Sequence, residues 1–221
     1  MPKLYKFKSC DNLIRICDII KSSKFYCADW KELNDPMEGT FDVEYFTQEF
    51  AEIVSENCKA VHELKGRTKI LSLSAADEDI YMWAHYANGF TGVAFEVEVE
   101  NDDFDRSSRA KVSDRSSLHK VKYIKNVKKF AHKAIGSHNE FVLKVLSQKL
   151  SAWSMEKEYR FLEESNFKKL KITKLIFGQR IDPTVLEILE KMCLDVNVPC
   201  VRSFIHRPSS KVKYSKFITQ V

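Results

Sequence analysis

Two glutamates and an arginine late in the chain have the types and spacing of an acid–base or electrostatic site. Glu156, Glu158 and Arg160 alternate in the segment WSMEKEYRF. On a strand these side chains would point to one face, because side chains alternate with a period of two. If that face is partly buried, repulsion between the carboxylates raises the pKa of one, while Arg160 lowers the pKa of the other. Such clusters occur both at active sites and in structural ion networks.

A second cluster combines aromatic and polar side chains in one short predicted helix. The segment MWAHYANGFTGVAFEVE contains Trp83, His85 and Tyr86 and runs through two glycines into an alternating apolar strand. In a helix, Trp83 and Tyr86 share one face, whereas His85 lies on another. One face can therefore pack while the other binds a ligand. A buried core tryptophan and a hydrogen-bonded core histidine are the structural alternative.

Polar side chains also stand near other predicted strands and in a proline turn. The segments LYK, LNDPMEG and SLS offer a cation, carboxylates, an amide and hydroxyls. An edge strand guarded by lysines and a turn organised by Asn and Asp are the structural alternatives. The candidate binding residues here are Tyr5, Lys6, Asn34, Asp35, Glu38, Ser72 and Ser74. We expect one pocket to collect Tyr5, Asn34, Trp83, His85, Tyr86 and Glu158.

Charge is divided unevenly along the chain. Residues 1–105 hold 11 Lys or Arg against 21 Asp or Glu, whereas residues 106–221 hold 25 against 10. The segment 106–133 carries ten basic residues and one acid, a pattern that can hold nucleic acid and is also typical of a solvated surface. The candidate nucleic-acid contacts are Lys122, Lys125, Lys128 and Lys129.

Several function classes lack their sequence signatures. The chain contains no GxGxxG turn, P-loop, HExxH or GxSxG motif. Its six cysteines form no CxxC pair, which favours free thiols. Cys58 and His62 are one helical turn apart, but two ligands are too few to predict zinc. We therefore predict no metal site from these residues.

The elements that must position these residues are short and interspersed. Strands alternate irregularly with helices, which predicts an α+β fold with a mixed, largely antiparallel sheet flanked by helices. We expect a single domain over residues 1–221, with a mobile polar insertion at 101–117, and mostly helix over 43–64 and 127–153. No run approaches the roughly 20 apolar residues of a membrane span, and the N-terminus lacks a signal-peptide pattern. A cytoplasmic protein without a membrane partner is expected.

Six segments taken in order resemble a known family. They are LYKF, LNDPMEG, SLS, MWAHYANGFTGVAFE, EKEYRF with its preceding Trp153, and LIFG. Together, from residue 4 to about residue 178, they resemble the bacterial family known as domain of unknown function 2971. The resemblance supplies no reaction.

A second resemblance does imply a reaction. A strand-borne cation, then Ser-x-Ser, then Glu-x-Glu is similar to the layout of ADP-ribosyltransferases. The matching positions are Lys6, Ser72, Ser74, Glu156 and Glu158, with Lys6 in place of the usual Arg or His. The resemblance implies an ADP-ribosyltransferase-like fold that uses NAD to modify nucleic acid or protein, in a toxin or defence role.

In such an enzyme several of the candidate residues have expected roles. Glu158 would stabilise the oxocarbenium-like ribose and orient its hydroxyl. Tyr86 or Trp83 would stack on nicotinamide, Ser72 would hold the ribose, and Lys6 would meet the pyrophosphate. The basic segment would hold a nucleic-acid acceptor.

Two other classes of function remain open from the residues alone. One is a nucleic-acid-binding or nuclease-like defence module in which NDPMEG, Glu156 and Glu158 hold Mg²⁺, since hard oxygen ligands suit that ion. The other is a noncatalytic partner-binding domain.

Overall fold

A computed structural model describes residues 3–44, 49–100, 118–127, 129–131 and 137–215. The insertion expected at 101–117 and the candidate contact Lys128 lie outside the described residues. Within them, the helices are α1 (Leu13–Ser22), α2 (Glu49–Arg67), α3 (Ile80–Tyr86), α4 (His138–Leu146) and α5 (Pro183–Asp195). The strands are β1 (Leu4–Lys8), β2 (Lys24–Tyr26), β3 (Ala28–Asp29), β4 (Asp42–Glu44), β5 (Lys69–Ser74), β6 (Val93–Glu98), β7 (Leu118–Lys120), β8 (Lys122–Ile124), β9 (Lys129–Ala131), β10 (Gln148–Leu150), β11 (Glu158–Glu163), β12 (Phe167–Lys169), β13 (Lys171–Phe177), β14 (Cys200–His206) and β15 (Lys211–Tyr214).

One large sheet organises the molecule. Its strand order is β15-β14-β13-β6-β1-β5-β11-β7, with β3 added beside β5. All of its pairs are antiparallel except β13 with β14, so the expected α+β class with a mixed, largely antiparallel sheet is confirmed. Because this sheet joins strands from both ends of the described chain, these residues form a single domain.

Helices cover both faces of the sheet. On one face, α1 and α5 bury apolar side chains against a core that includes Leu4, Leu71, Phe95 and Phe161. On the other face, α3 packs around Trp83, while α2 and α4 form a neighbouring cluster. Local signals fix some of the helix starts. The side chain of Asp79 accepts the backbone N–H of Tyr81 at the start of α3, and Asp182 caps α5 before Pro183.

Two long helices expected from the sequence are shorter in the structure. Residues 43 and 44 belong to β4, which pairs in parallel with β9, and α2 begins only at Glu49. The segment expected to be helical over 127–153 contains β9, α4 and β10, and β10 pairs in parallel with β8. Strand pairing between distant segments has therefore outweighed local helix propensity.

The sheet opens between its two central strands. β1 and β5 share one paired position, Tyr5 opposite Ser74, whereas β1 pairs along its whole length with β6. At the other end of the same edge of β5, Ala28 of β3 lies opposite Ile70. The middle of that edge thus faces a gap, and this gap is where the candidate site lies.

None of the helices in the described part of the chain has the length and apolar character needed to cross a bilayer.

Candidate functional site

A cavity of about 340 Å³ occupies the gap between β1 and β5. This volume is near the lower end of the roughly 300–1,000 Å³ typical of small-molecule sites. Side chains from β1, β5, α3, the start of β11 and the loop after β3 line it. The lining includes these residues expected from the sequence: Tyr5, Lys6, Asn34, Ser72, Ser74, His85, Tyr86, Glu156 and Glu158. Five of the six side chains expected to share one pocket therefore do so, and Trp83 does not.

Sheet register brings three of these residues into one row. Tyr5 on β1 lies opposite Ser74 on β5, and Ser74 lies opposite Glu158 on β11. Directly paired residues of antiparallel strands project to the same face, about 4.5–5.5 Å apart. Three segments, 69 and 84 positions apart in the sequence, thus meet at one end of the cavity.

Glu158 is held by a buried arginine. The guanidinium of Arg160 is fully buried, and its Nε and Nη2 donate to the two carboxylate oxygens of Glu158, both at 2.8 Å. Its Nη1 and Nη2 also donate to the carboxylate of Glu38 at 2.6 and 2.9 Å, and Nη1 donates to the carbonyl of Leu146 at 2.7 Å. Arg160 therefore links the turn NDPMEG to the cavity, although neither Glu38 nor Arg160 lines it.

Glu156 reaches the site by a different route from the one expected. It ends a 3-10 helix from Ser151, and Lys157 turns the chain through a left-handed conformation before β11 begins. Glu156 thus does not share a strand with Glu158, which corrects the period-two expectation for this residue. Its carboxylate accepts hydrogen bonds from the hydroxyl of Tyr86 and, at 2.6 Å, from Nζ of Lys149.

Lys149 is a site residue that sequence reasoning missed. Its buried ammonium bridges the two carboxylates, at 2.6 Å from Glu156 and 3.2 Å from Glu158, and lies 5.0 Å from the centre of the Trp153 ring. Tyr123 was also missed, and its hydroxyl accepts the backbone N–H of Glu158 at 2.8 Å. The one available signal was a lysine within the apolar segment VLSQKLSAW. It was missed because this segment was expected to belong to a long helix.

The network fixes the ionisation of its members. Burial alone would raise the pKa of Glu158, but Arg160, Lys149 and the hydroxyl of Ser72 lower it far below its usual value. Burial raises the pKa of Glu38 despite its bond to Arg160. For Tyr86, burial and the carboxylate of Glu156 raise the pKa, so the phenol keeps its proton. The cavity therefore contains the ionised carboxylate of Glu158 and the neutral hydroxyl of Tyr86, whose hydrogen is donated to Glu156.

Lys6 stands on the opposite wall of the gap. Its Nζ donates to the carbonyl of Ser72 at 2.8 Å, in the part of the β5 edge that no strand covers. Burial, followed by the charge of Lys8, lowers the pKa of Lys6 to about 7. Its amine is therefore both neutral and protonated in comparable amounts near neutral pH.

Trp83 and Asp35 lie away from the cavity. Trp83 is fully buried, donates from Nε1 to the carbonyl of Asp77 at 3.0 Å, and packs against Phe7 and Phe90. It anchors α3 in the core, so it has no surface on which a ligand can stack. Asp35 is buried in the turn, where its Oδ1 accepts the backbone N–H of Met37 at 2.9 Å.

His85 and Tyr86 both reach the cavity from the end of α3. Tyr86 is partly buried and points to Glu156, whereas His85 is exposed and its ring centre lies 4.0 Å from that of Tyr81. The lining groups that can hold a ligand are thus the carboxylates, the hydroxyls of Ser72, Ser74 and Tyr86, the imidazole of His85 and the amide of Asn34.

The candidate nucleic-acid contacts that the structure describes are all exposed. Lys122 and Lys125 lie on and just after β8, and Lys129 lies on β9. Nζ of Lys129 is 4.0 Å from Asp42 and 3.9 Å from Glu44 on the neighbouring strand. Part of its charge is therefore already balanced within the protein.

Potential metal ligands do not form a binding cluster in the described part of the chain. It contains no cluster of three or more His, Cys, Asp or Glu side chains that could hold a metal ion. The six cysteines are free thiols.

Comparison with known proteins gives one match. No curated protein and no solved structure showed significant similarity to the chain. Residues 82–161, a little over a third of the chain, match the model of a family described as "Protein of unknown function (DUF2971)". The segment that contributes Tyr86, Lys149, Glu156 and Glu158 to the cavity is therefore similar to the DUF2971 family.

Proposed function

We propose that the chain is an ADP-ribosyltransferase-like enzyme that cleaves the N-glycosidic bond of NAD and transfers ADP-ribose to an acceptor. The observation that carries this proposal is the meeting of Lys6, Ser72, Ser74, Glu156 and Glu158 at one cavity, in the gap of the central sheet. These are the positions at which the chain resembles ADP-ribosyltransferases, and they come from three separate parts of the sequence.

The electrostatics of the site suit that reaction. When the bond between ribose C1 and the nicotinamide nitrogen breaks, its electron pair leaves with nicotinamide, and positive charge develops on the ribose. An ionised carboxylate placed there in advance stabilises this charge. Arg160 and Lys149 keep Glu158 ionised well below neutral pH. Lys149 and Arg160 donate three hydrogen bonds to Glu158, and a carboxylate offers about four acceptor sites, so a ribose hydroxyl would share the remaining site with the hydroxyl of Ser72.

The remaining lining groups have places in the same scheme. The volume of the cavity matches the nicotinamide–ribose half of the substrate rather than the whole dinucleotide. Tyr86 and His85 form the wall on which nicotinamide would stack, and Ser72 is close enough to Glu158 to share the ribose. Trp83 has no part in stacking, because its indole is enclosed in the core.

The proposal includes an acceptor and a biological role. A nucleic acid would lie along Lys122, Lys125 and Lys129, which are exposed. A defence or toxin role follows from the same resemblance.

The magnesium-dependent alternative has less support from the geometry. Lys149 contacts both Glu156 and Glu158, and Arg160 contacts Glu158 and Glu38. These cations occupy the carboxylate oxygens that a divalent ion would need.

The test is release of nicotinamide from NAD, measured by chromatography with and without single-stranded DNA or RNA. Glu158→Gln keeps the shape and removes the charge, so turnover should fall on the order of a hundredfold or more. Glu187→Gln, a change at an exposed helix position, should leave turnover unchanged. Because Glu158 also belongs to a buried ion network, Ser72→Ala is measured beside it, and the melting temperature of each variant is recorded.

Nicotinamide release at the wild-type rate by folded Glu158→Gln would refute the role of the carboxylate. Absence of NAD turnover combined with Mg²⁺-dependent cleavage of nucleic acid would favour the alternative class.

A further inference from the structure

Lys6 differs from Arg160 and Lys149, the two cations of the carboxylate network, in what it contacts. Arg160 and Lys149 are held by carboxylates, whereas the contact described for Lys6 Nζ is the backbone carbonyl of Ser72 at 2.8 Å. The side chain of Lys6 extends into the gap of the sheet. There Nζ donates to the carbonyl of Ser72 the hydrogen bond that a backbone N–H of a paired strand would otherwise donate. A carbonyl accepts one hydrogen from an amine in either protonation state, so this contact does not require the ammonium form.

Three charged side chains and one thiol, each from a different part of the fold, face Lys6. Lys8 on the same strand and Lys149 on β10 disfavour the ammonium, whereas Glu158 on β11 and the thiol of Cys27 beside β2 favour it. Burial and Lys8 outweigh the favourable groups, so the pKa of Lys6 falls to about 7. About half of Lys6 is then neutral at pH 7, compared with roughly one in 3,000 of ordinary lysine side chains.

A neutral lysine amine in a cavity is a nucleophile toward carbonyl carbon. We propose that Nζ of Lys6 forms an imine with C1 of a ribose in its open-chain aldehyde form, in the chemical class of ADP-ribose and ribose 5-phosphate. In this step Nζ forms a double bond to C1, and the carbonyl oxygen leaves as water with the two amine hydrogens. No oxidant or reductant is needed.

The lining of the cavity favours a sugar over other aldehydes. The side chains of Ser72, Ser74, Tyr86, Glu156 and Glu158 line the cavity beside Lys6. Such groups match the several hydroxyls of a pentose. The choice of ligand rests on the proposed function, because ADP-ribose is the product of NAD hydrolysis, whereas the reactivity of the amine rests on its surroundings alone.

The experiment traps the imine with cyanoborohydride, which reduces it to a stable secondary amine. The protein is incubated at pH 7 separately with ADP-ribose and with ribose 5-phosphate, then digested and mapped by mass spectrometry. Lys6 should gain the mass of the ligand less one oxygen atom, at an initial rate roughly tenfold or more above that of exposed lysines. Faster labelling by ADP-ribose than by ribose 5-phosphate would identify the ligand as the whole ADP-ribose molecule. Equal labelling would identify the ligand as a pentose phosphate.

Two variants and a pH series control the assignment. Lys6→Arg should abolish the label at this position, whereas Lys8→Arg keeps the neighbouring charge and should retain it. The labelling rate should reach half its plateau near pH 7. A label spread over surface lysines without preference for Lys6, or a rate at Lys6 equal to that in urea-unfolded protein, would overturn the proposal.

Both aldehydes are supplied ready-made, so the result does not depend on NAD cleavage. Labelling of Lys6 without nicotinamide release would support the imine and refute the transferase. Nicotinamide release without labelling of Lys6 would support the transferase and refute the imine.

Discussion

The buried ion network gives the sharpest stability prediction. Arg160→Met removes five hydrogen bonds, four of them to carboxylates, and leaves Glu38 and Glu158 buried without their main cation. Loss of one partner from a buried ion pair costs about 3–5 kcal/mol of unfolding free energy. For a chain of this length that corresponds to a fall in melting temperature of roughly 6–20 °C. Some of the cost is relieved as pH falls, because burial already raises the pKa of Glu38 and its protonation removes the unpaired charge.

A double-mutant cycle separates this network effect from simple loss of packing. Glu38→Gln alone should cost about 1.5–3 kcal/mol, since it weakens a charge-assisted pair. In the Arg160→Met variant, Glu38→Gln should lower the unfolding free energy by less, because the arginine is already absent. A coupling energy of about 1–3 kcal/mol is expected.

The assay is urea unfolding followed by tryptophan fluorescence, supported by the three tryptophans of the chain. The matched control is Lys191→Met, which breaks an exposed pair with Glu187 on α5 and should cost less than about 0.5 kcal/mol. If Arg160→Met costs no more than this control, or if the two network substitutions add without coupling, the reasoning about the buried cluster is wrong.

Three further predictions use the same measurement. Trp83→Ala should lower the unfolding free energy by about 3–5 kcal/mol, because the indole is fully enclosed, and a loss below 1 kcal/mol would contradict its anchoring role. Gly92→Ala should cost about 1–3 kcal/mol or more, since a Cβ there would lie 2.2 Å from the carbonyl oxygen of Lys8. Gly66→Ala meets no atom within 4 Å and should instead stabilise α2 by about 0.5–1 kcal/mol, so equal effects at the two glycines would refute the packing argument. The folded-state pKa of Lys6 lies below its unfolded value, so the unfolded chain binds more protons between about pH 7 and 10.5. Wild-type stability relative to Lys6→Met should therefore rise with pH across that window, and a flat difference would show an ordinary lysine.

The sequence predicted the class of fold and much of the site because both depend on local patterns. Alternating apolar residues in GVAFEVEV and KILSLS correctly indicated β6 and β5, and Asp182 with Pro183 marked the start of α5. Polar residues at strand ends indicated where side chains would meet, since neighbouring strands bring their ends together. Short strands that pair with distant segments, such as β9 and β10, left no periodic signal of their own.

The connections within the site could not be read from local pattern. The pairing of Arg160 with Glu38 joins residues 122 positions apart, and Lys149 reaches the carboxylates from a strand of three residues. Trp83 carried two expectations. Its aromatic type suggested a stacking surface, which is wrong, whereas the expectation of a core indole is confirmed by its position on the inward face of α3.

The single paired position between β1 and β5 has a consequence for hydrogen exchange. In an antiparallel strand the N–H and C=O of one residue lie on the same edge, so the amide of Ser72 faces the gap together with the carbonyl that Lys6 contacts. Amides of Leu71 and Leu73 lie on the other edge, toward β11, and share its protection. We therefore expect the amide of Ser72 to exchange with solvent faster than the amides of Leu71 and Leu73, and a ligand that fills the gap to slow the exchange of Ser72 selectively. The exchange rate of the Ser72 amide would therefore report whether a ligand occupies the gap, whatever reaction the site performs.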